Sequence, residues 1–212
     1  MRKWWTKWKE DKKIRILTIV AVLAVIGIGI GLLSKRVVIT EEGVALSGHT
    51  GPILYYGDAQ MIRGKETVVD VKLSDLKGDY PAASFQIEFD KNKLEFLEIR
   101  QGNIEIRNKK TGETIIPEWQ YNAENANRKG CISTMYLDMT AEDNPITGDN
   151  LTADSDVLFR VVFRVKDSCN DGEKLTLTTS QATFAAIEEA DSIAIYKENI
   201  NTPQGEYTVE VE

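Results

Sequence analysis

Residues 157–166 read Val-Leu-Phe-Arg-Val-Val-Phe-Arg-Val-Lys. Phe159, Val161, Phe163 and Val165 alternate with Arg160, Val162 and Arg164. A period of two puts each set on its own face of an extended chain, so this segment predicts a strand with one side on a core. The same pattern recurs on both sides of it. Val69, Val71 and Leu73 alternate with Asp70 and Lys72; Phe85, Ile87 and Phe89 with Gln86 and Glu88; Leu175 and Leu177 with Thr176 and Thr178. Turn signals separate the runs: Lys77-Gly78-Asp79, Thr111-Gly112, Lys129-Gly130, Asn170-Asp171-Gly172 and Gln204-Gly205. After residue 36 no stretch sustains a helical period, residues 182–195 being the nearest candidate. Many short strands joined by such turns predict an all-β antiparallel sandwich over residues 53–212, long enough for one core.

The start of the chain belongs to another solvent. Among 212 residues there are 26 Lys+Arg and 33 Asp+Glu, a net charge of −7. Residues 1–36 hold nine of the basic and two of the acidic residues, leaving 17 basic against 31 acidic, or −14, for the rest. That acidity argues against a nucleic-acid binder. Residues 16–33 are 18 consecutive uncharged residues. At about 1.5 Å per residue they span roughly 27 Å as a helix, close to the hydrocarbon thickness of a bilayer. Trp4, Trp5 and Trp8 precede them among lysines, a composition suited to headgroups. The expected organisation is a cytosolic basic segment at 1–13, a transmembrane helix at 14–33, a stalk at 34–52 and the sandwich at 53–212. More basic residues precede the span than follow it, which puts the N-terminus in the cytosol and the sandwich outside a single-pass membrane. The competing reading is a cleaved signal peptide, against which stand the long apolar run and the poor exit Leu32-Leu33-Ser34-Lys35. Gly27 and Gly31 form one small-xxx-small pair on that helix.

Within the sandwich, Phe89-Asp90-Lys91-Asn92-Lys93-Leu94-Glu95-Phe96 resembles the YDPNVLEV segment of cohesin domains. Gly130-Cys131-Ile132-Ser133 resembles the family's GTIS strand start, and residues 157–166 its VFATITFKVK strand. Asp171-Gly172 falls at its next hairpin, and Thr183-Phe184-Ala185 matches its TFA. The matches run in the family's order from about Ile53 to the C-terminus. The resemblance implies a nine-stranded jelly-roll β-sandwich and a bacterial source. It also implies a role: docking dockerin modules, usually carried by polysaccharide-degrading enzymes, at a cell surface. The fold is shared with carbohydrate-binding modules, so it does not by itself choose the ligand.

In cohesins the dockerin lies on the sheet whose strands match residues 82–89, 118–123 and 131–138. With Phe85, Ile87 and Phe89 inward, Ala82, Ser84, Gln86 and Glu88 face out. Residues 131–137 are apolar on both parities; Ile132 and Tyr136 go inward by the family register, leaving Met135 and Leu137 outward. A strand apolar on both faces is either covered by its own chain or part of a binding patch. The expected partner-binding set is therefore Ala82, Ser84, Gln86, Glu88, Met135 and Leu137. Where cohesins commonly show an Asn and an Asp that hydrogen-bond the dockerin, this chain has Ala82 and Ser84.

Two other readings remain open. Trp119 and Tyr121, two residues apart, share a face of a strand, where they form a platform for sugar rings or pack into the core. A structural subunit of a surface complex, with no ligand but copies of itself, is the third reading.

Cys131 and Cys169 are candidates for a disulfide, since the family topology puts them at one end; otherwise they are a small core residue and a loop thiol. The loop at 141–156 carries Asp143, Asp149, Asp154 and Asp156, oxygen donors of the kind calcium takes, but in no EF-hand pattern. No cofactor is expected otherwise. The only histidine, His49, has no nucleophile or metal partner nearby in sequence, so an enzyme is not expected.

Overall fold

The computed structural model describes residues 52–140, 143–152, 154–188, 191–196 and 199–211. The basic segment, the apolar span, His49 and nearly all of the stalk lie outside these residues. Among the described residues no helix is long and apolar enough to cross a membrane.

In chain order the strands are β1 (Ile53–Tyr56), β2 (Met61–Ile62), β3 (Glu66–Ser74), β4 (Asp79–Tyr80), β5 (Ala82–Glu88), β6 (Leu94–Gln101), β7 (Ile106–Arg107), β8 (Thr114–Ile115) and β9 (Gln120–Tyr121). Helix α1 (Ala123–Lys129) follows, then β10 (Cys131–Leu137), β11 (Ile146–Thr147), β12 (Val157–Val165), β13 (Lys174–Glu188), β14 (Asp191–Tyr196) and β15 (Gly205–Glu210). Nine of these fifteen strands have four residues or more; the other six are two-residue pieces that the sequence pattern does not announce.

Two sheets make the sandwich. One has the order β1-β3-β12-β6. The other runs β2-β15-β13-β5-β10-β9, with β14 also on β13. Pairing is antiparallel throughout, except between β15 and β2. The inward rows expected from the sequence meet in the middle: Val69, Val71, Phe159, Val161 and Phe163 from one sheet, Phe85, Ile87, Ile132 and Phe184 from the other, all at most 1% exposed. Phe85 lies 5.9 Å from Phe159 and Phe89 lies 5.2 Å from Phe163, ring centre to ring centre. Offset aromatic contacts of this kind add to the area that the rings bury.

β12 departs from simple alternation, because Leu158 and Val162 are fully buried as well. Residues 182–188 and 191–195 are not helical: they contribute the second half of β13 and most of β14. The one α-helix among the described residues sits where the sequence reading has only a turn. Asn122 caps α1 by accepting from the Asn125 amide at 2.8 Å. Gly130 ends it at φ 75°, a left-handed conformation that glycine adopts without cost, and donates to the Ala126 carbonyl. Only Lys129-Gly130 is read from the sequence here, as a turn; the helix before it is two turns long, too short to show a period.

Candidate functional site

β5 lies between β10 and β13, and the register fixes what its outer face carries. Leu137 stands opposite Ala82, and Ala82 opposite Ala185. The next row is Met135, Ser84 and Thr183; then Ser133, Gln86 and Gln181; then Cys131, Glu88 and Thr178. A bulge at Ser180 keeps the parity of β13 aligned along the whole of β5. Ala82, Ser84, Gln86, Glu88, Met135 and Leu137, six residues singled out from the sequence, thus occupy one continuous surface.

That surface is graded. At one end Ala82 and Ala185 are buried although they point away from the core, because half-buried Met135 and Leu137 pack over them. This is a second hydrophobic cluster, on the far side of the sheet from the main core. The middle is hydroxyls and amides: Ser84, Ser133, Gln86 and Gln181. At the other end Glu88 is exposed beside Cys131.

The apolar end is held by a buried polar framework. The Asp138 carboxylate, 2% exposed, accepts from the Thr140 amide (2.9 Å), the Thr140 hydroxyl (2.6 Å), the Asn144 amide (2.9 Å) and the Asn144 side chain (3.2 Å). The Tyr136 hydroxyl donates to the Asn144 carbonyl at 2.6 Å. Burial, and then the Asp138 charge, raise the Tyr136 phenol above its ordinary range. A short ribbon of β7 and β8 braces the same loop: Asn108 donates to Asn144, and Lys110 pairs with Asp143 at 2.8 Å. After that loop, Gly148 packs against the segment before β4, since a side chain there would meet the Leu76 carbonyl at 1.7 Å. Beyond Leu137, Met139 is 63% exposed.

At the opposite end lies an open concavity of about 330 Å³, lined by Glu88, Lys129, Cys131, Thr176 and Thr178 among others. Burial, and next the Glu88 charge, push the Cys131 thiol up; Lys129 opposes them. Both cysteines are free thiols, which decides against the candidate bridge and for the alternative of two separate thiols. Cys169 is buried and its sulfur contacts the Lys93 carbonyl at 3.4 Å, whereas Cys131 sits half-buried on the outer face of β10. Each is held by its own surroundings.

The aromatic platform is corrected too. Trp119 and Tyr121 do share a side of the sheet, but it is the core side. Trp119 is 8% exposed and touches Phe85, Phe159 and Tyr136. Tyr121 stands opposite inward-facing Thr134, at the edge, with its ring 5.6 Å from that of Phe96. Trp119 is thus withdrawn from water among other rings, and Tyr121, 40% exposed at the edge, has no second exposed ring beside it among the described residues to make a paired platform. In the acidic loop, Asp143 is held by Lys110, and Asp156 by Lys72 (3.2 Å) and the Tyr55 hydroxyl (3.0 Å). No group of three or more His, Cys, Asp or Glu side chains suited to a metal occurs among the described residues.

A model of the Cohesin domain family matches residues 58–194. The chain belongs to the cohesin family. Solved cohesins share its fold. The seventh ScaB type I cohesin of Pseudobacteroides cellulosolvens superposes with a TM-score of 0.56 at 18% identity, over 76% of this chain and 94% of that one. The sixth cohesin of scaffoldin B from Acetivibrio cellulolyticus, solved in complex with a dockerin, gives 0.53 at 23% identity, over 77% and 100%. A type I cohesin–dockerin complex from Clostridium thermocellum gives 0.54 at 14% identity, over 80% and 100%. Curated proteins returned no match. At these identities the likeness to solved structures is one of fold, and the surface chemistry of this cohesin is its own.

Proposed function

We propose that this cohesin docks a dockerin module on the outer face of β13, β5 and β10, without catalysis. The observation that carries this reading is the second apolar cluster, Met135 and Leu137 over Ala82 and Ala185, on the solvent side of a sheet whose other side already has a core. An apolar patch on the solvent side of a sheet is the usual centre of a protein interface. Completing the burial of Met135 and Leu137 under a partner contributes at most about 1.5–3 kcal/mol per side chain. The partner's carrier is a polysaccharide-degrading enzyme. The uncharged run at 16–33, with its basic flank, anchors the chain in a membrane and holds the cohesin outside the cell.

Titrating the full chain in detergent micelles with a panel of dockerin modules tests the docking. At least one dockerin is expected to bind at micromolar concentration or tighter, and Met135→Glu with Leu137→Glu to abolish that binding while leaving the circular dichroism unchanged. Failure of every dockerin to bind overturns the reading. Carbonate washing and added protease on intact cells test the anchor: the chain is expected to stay with the membrane and its sandwich to be cleaved from outside.

A further inference from the structure

Twelve side chains make up the four outer rows of β10, β5 and β13, and Glu88 is the only charged one. It is exposed and makes no ion pair or side-chain hydrogen bond among the described residues. It borders the 330 Å³ concavity, together with Thr176 and Thr178. Lys129 lines the same concavity and makes no ion pair with Glu88 among the described residues. Resting on the docking reading above, we infer that Glu88 and this concavity receive a lysine or arginine of the partner, at the end of the face opposite the apolar cluster.

Three physical arguments select that occupant. A partner covering the face strips water from an unpaired carboxylate, which is costly unless a cation or several donors replace the water. A carboxylate in a concavity shared with two threonines offers acceptors, matched by the three donors of an ammonium or the five of a guanidinium. The whole region after residue 36 carries −14, so an acidic segment, or a second copy presenting the same face, is repelled.

The face also sets a ruler. Ala82 and Glu88 are six residues apart on β5, about 20 Å at the rise of a strand. A helix laid along β5 covers that length in about 13 residues. The partner chemistry is therefore an amphipathic helix with an apolar residue seated on Leu137, which stands level with Ala82, and a Lys or Arg about 13 positions away. Glu88 sets the direction in which that helix lies.

The test uses the full chain in detergent micelles and the tightest-binding dockerin of the panel. Glu88→Gln is expected to weaken binding roughly ten- to a hundredfold, the range for losing a charge-assisted hydrogen bond. Lys129→Gln is expected to tighten it several-fold by removing a competing cation. Replacing the partner's Lys or Arg with Glu is expected to abolish binding, and Glu88→Lys to restore it. Glu88→Gln affinity within twofold of the unaltered chain, or a loss on Lys129→Gln, overturns the inference. If that happens while Met135→Glu still abolishes binding, docking stands and the cation pocket alone falls. If the unaltered chain binds no dockerin, the docking reading fails and takes this inference with it.

Discussion

Trp119 donates its indole N–H to the main-chain oxygen of Leu158 at 3.1 Å, joining the edge of one sheet to a central strand of the other. Leu158 lies at the irregularity of β12, where pairing with β3 skips from Val157 to Phe159. A bulge leaves one residue out of the ladder, and its carbonyl needs another donor. The tryptophan supplies it from within the core.

Replacing Trp119 by Phe keeps most of the packing and orphans that carbonyl. The expected cost is about 1–3 kcal/mol. Trp119→Ala also removes the contacts with Phe85, Phe159 and Tyr136, for about 3–5 kcal/mol in total. Urea unfolding followed by intrinsic fluorescence or circular dichroism measures both.

Asn127 of α1 imitates a neighbouring strand. Its side-chain oxygen accepts from the Phe96 amide at 2.8 Å, and its nitrogen donates to the Phe96 carbonyl at 2.7 Å. β6 is an edge strand, so these bonds occupy groups that otherwise invite pairing with another chain. Asn127→Ala is expected to destabilise by about 1–3 kcal/mol and to increase aggregation on warming, read by light scattering. Asn127→Asp keeps the acceptor, loses the donor and is expected to rescue neither effect.

Tyr56, Tyr136 and Tyr207 have phenols raised above their ordinary range, burial being the largest cause in each. A group whose pKa is raised in the folded state stabilises fully below its unfolded pKa, about 10 for tyrosine, and that stability is lost as pH rises above it. Ultraviolet titration is expected to show these three ionising late, together with unfolding. Reversible ionisation of these three at about pH 10, with the fold intact, contradicts this burial.

Arg164 bridges Glu66 (3.0 Å) and Glu95 (3.4 Å) across three strands, but about half of each side chain is exposed. Solvent screens such pairs, so Arg164→Ala is expected to cost less than about 1 kcal/mol despite two ion pairs. A larger loss in urea unfolding means that the three charges act as a coupled network.

The sequence by itself determined which side chains face which way. Phe85, Ile87, Phe159 and Phe163 face in and Ser84, Gln86 and Glu88 out, because a strand alternates strictly and its greasy parity must leave water. It also separated an uncharged run and its basic flank from a strongly acidic remainder, because charge and hydropathy are properties of composition. Only the tertiary structure decided which strands are neighbours. β13, 43 positions after β10 by its first residue, comes to the other side of β5 and sets Ala185 beside Ala82, which turns two apolar residues of β10 into a patch. Only the fold decided that Trp119 points inward, since its partner is a carbonyl freed 39 residues away. It also decided that seven residues between Asn122 and Gly130 coil into α1, a helix held by Asn127 on β6 as much as by its caps. Alternation is a local property of the chain; adjacency across a sheet depends on register, which is settled only when both faces of the sandwich compete to bury their side chains.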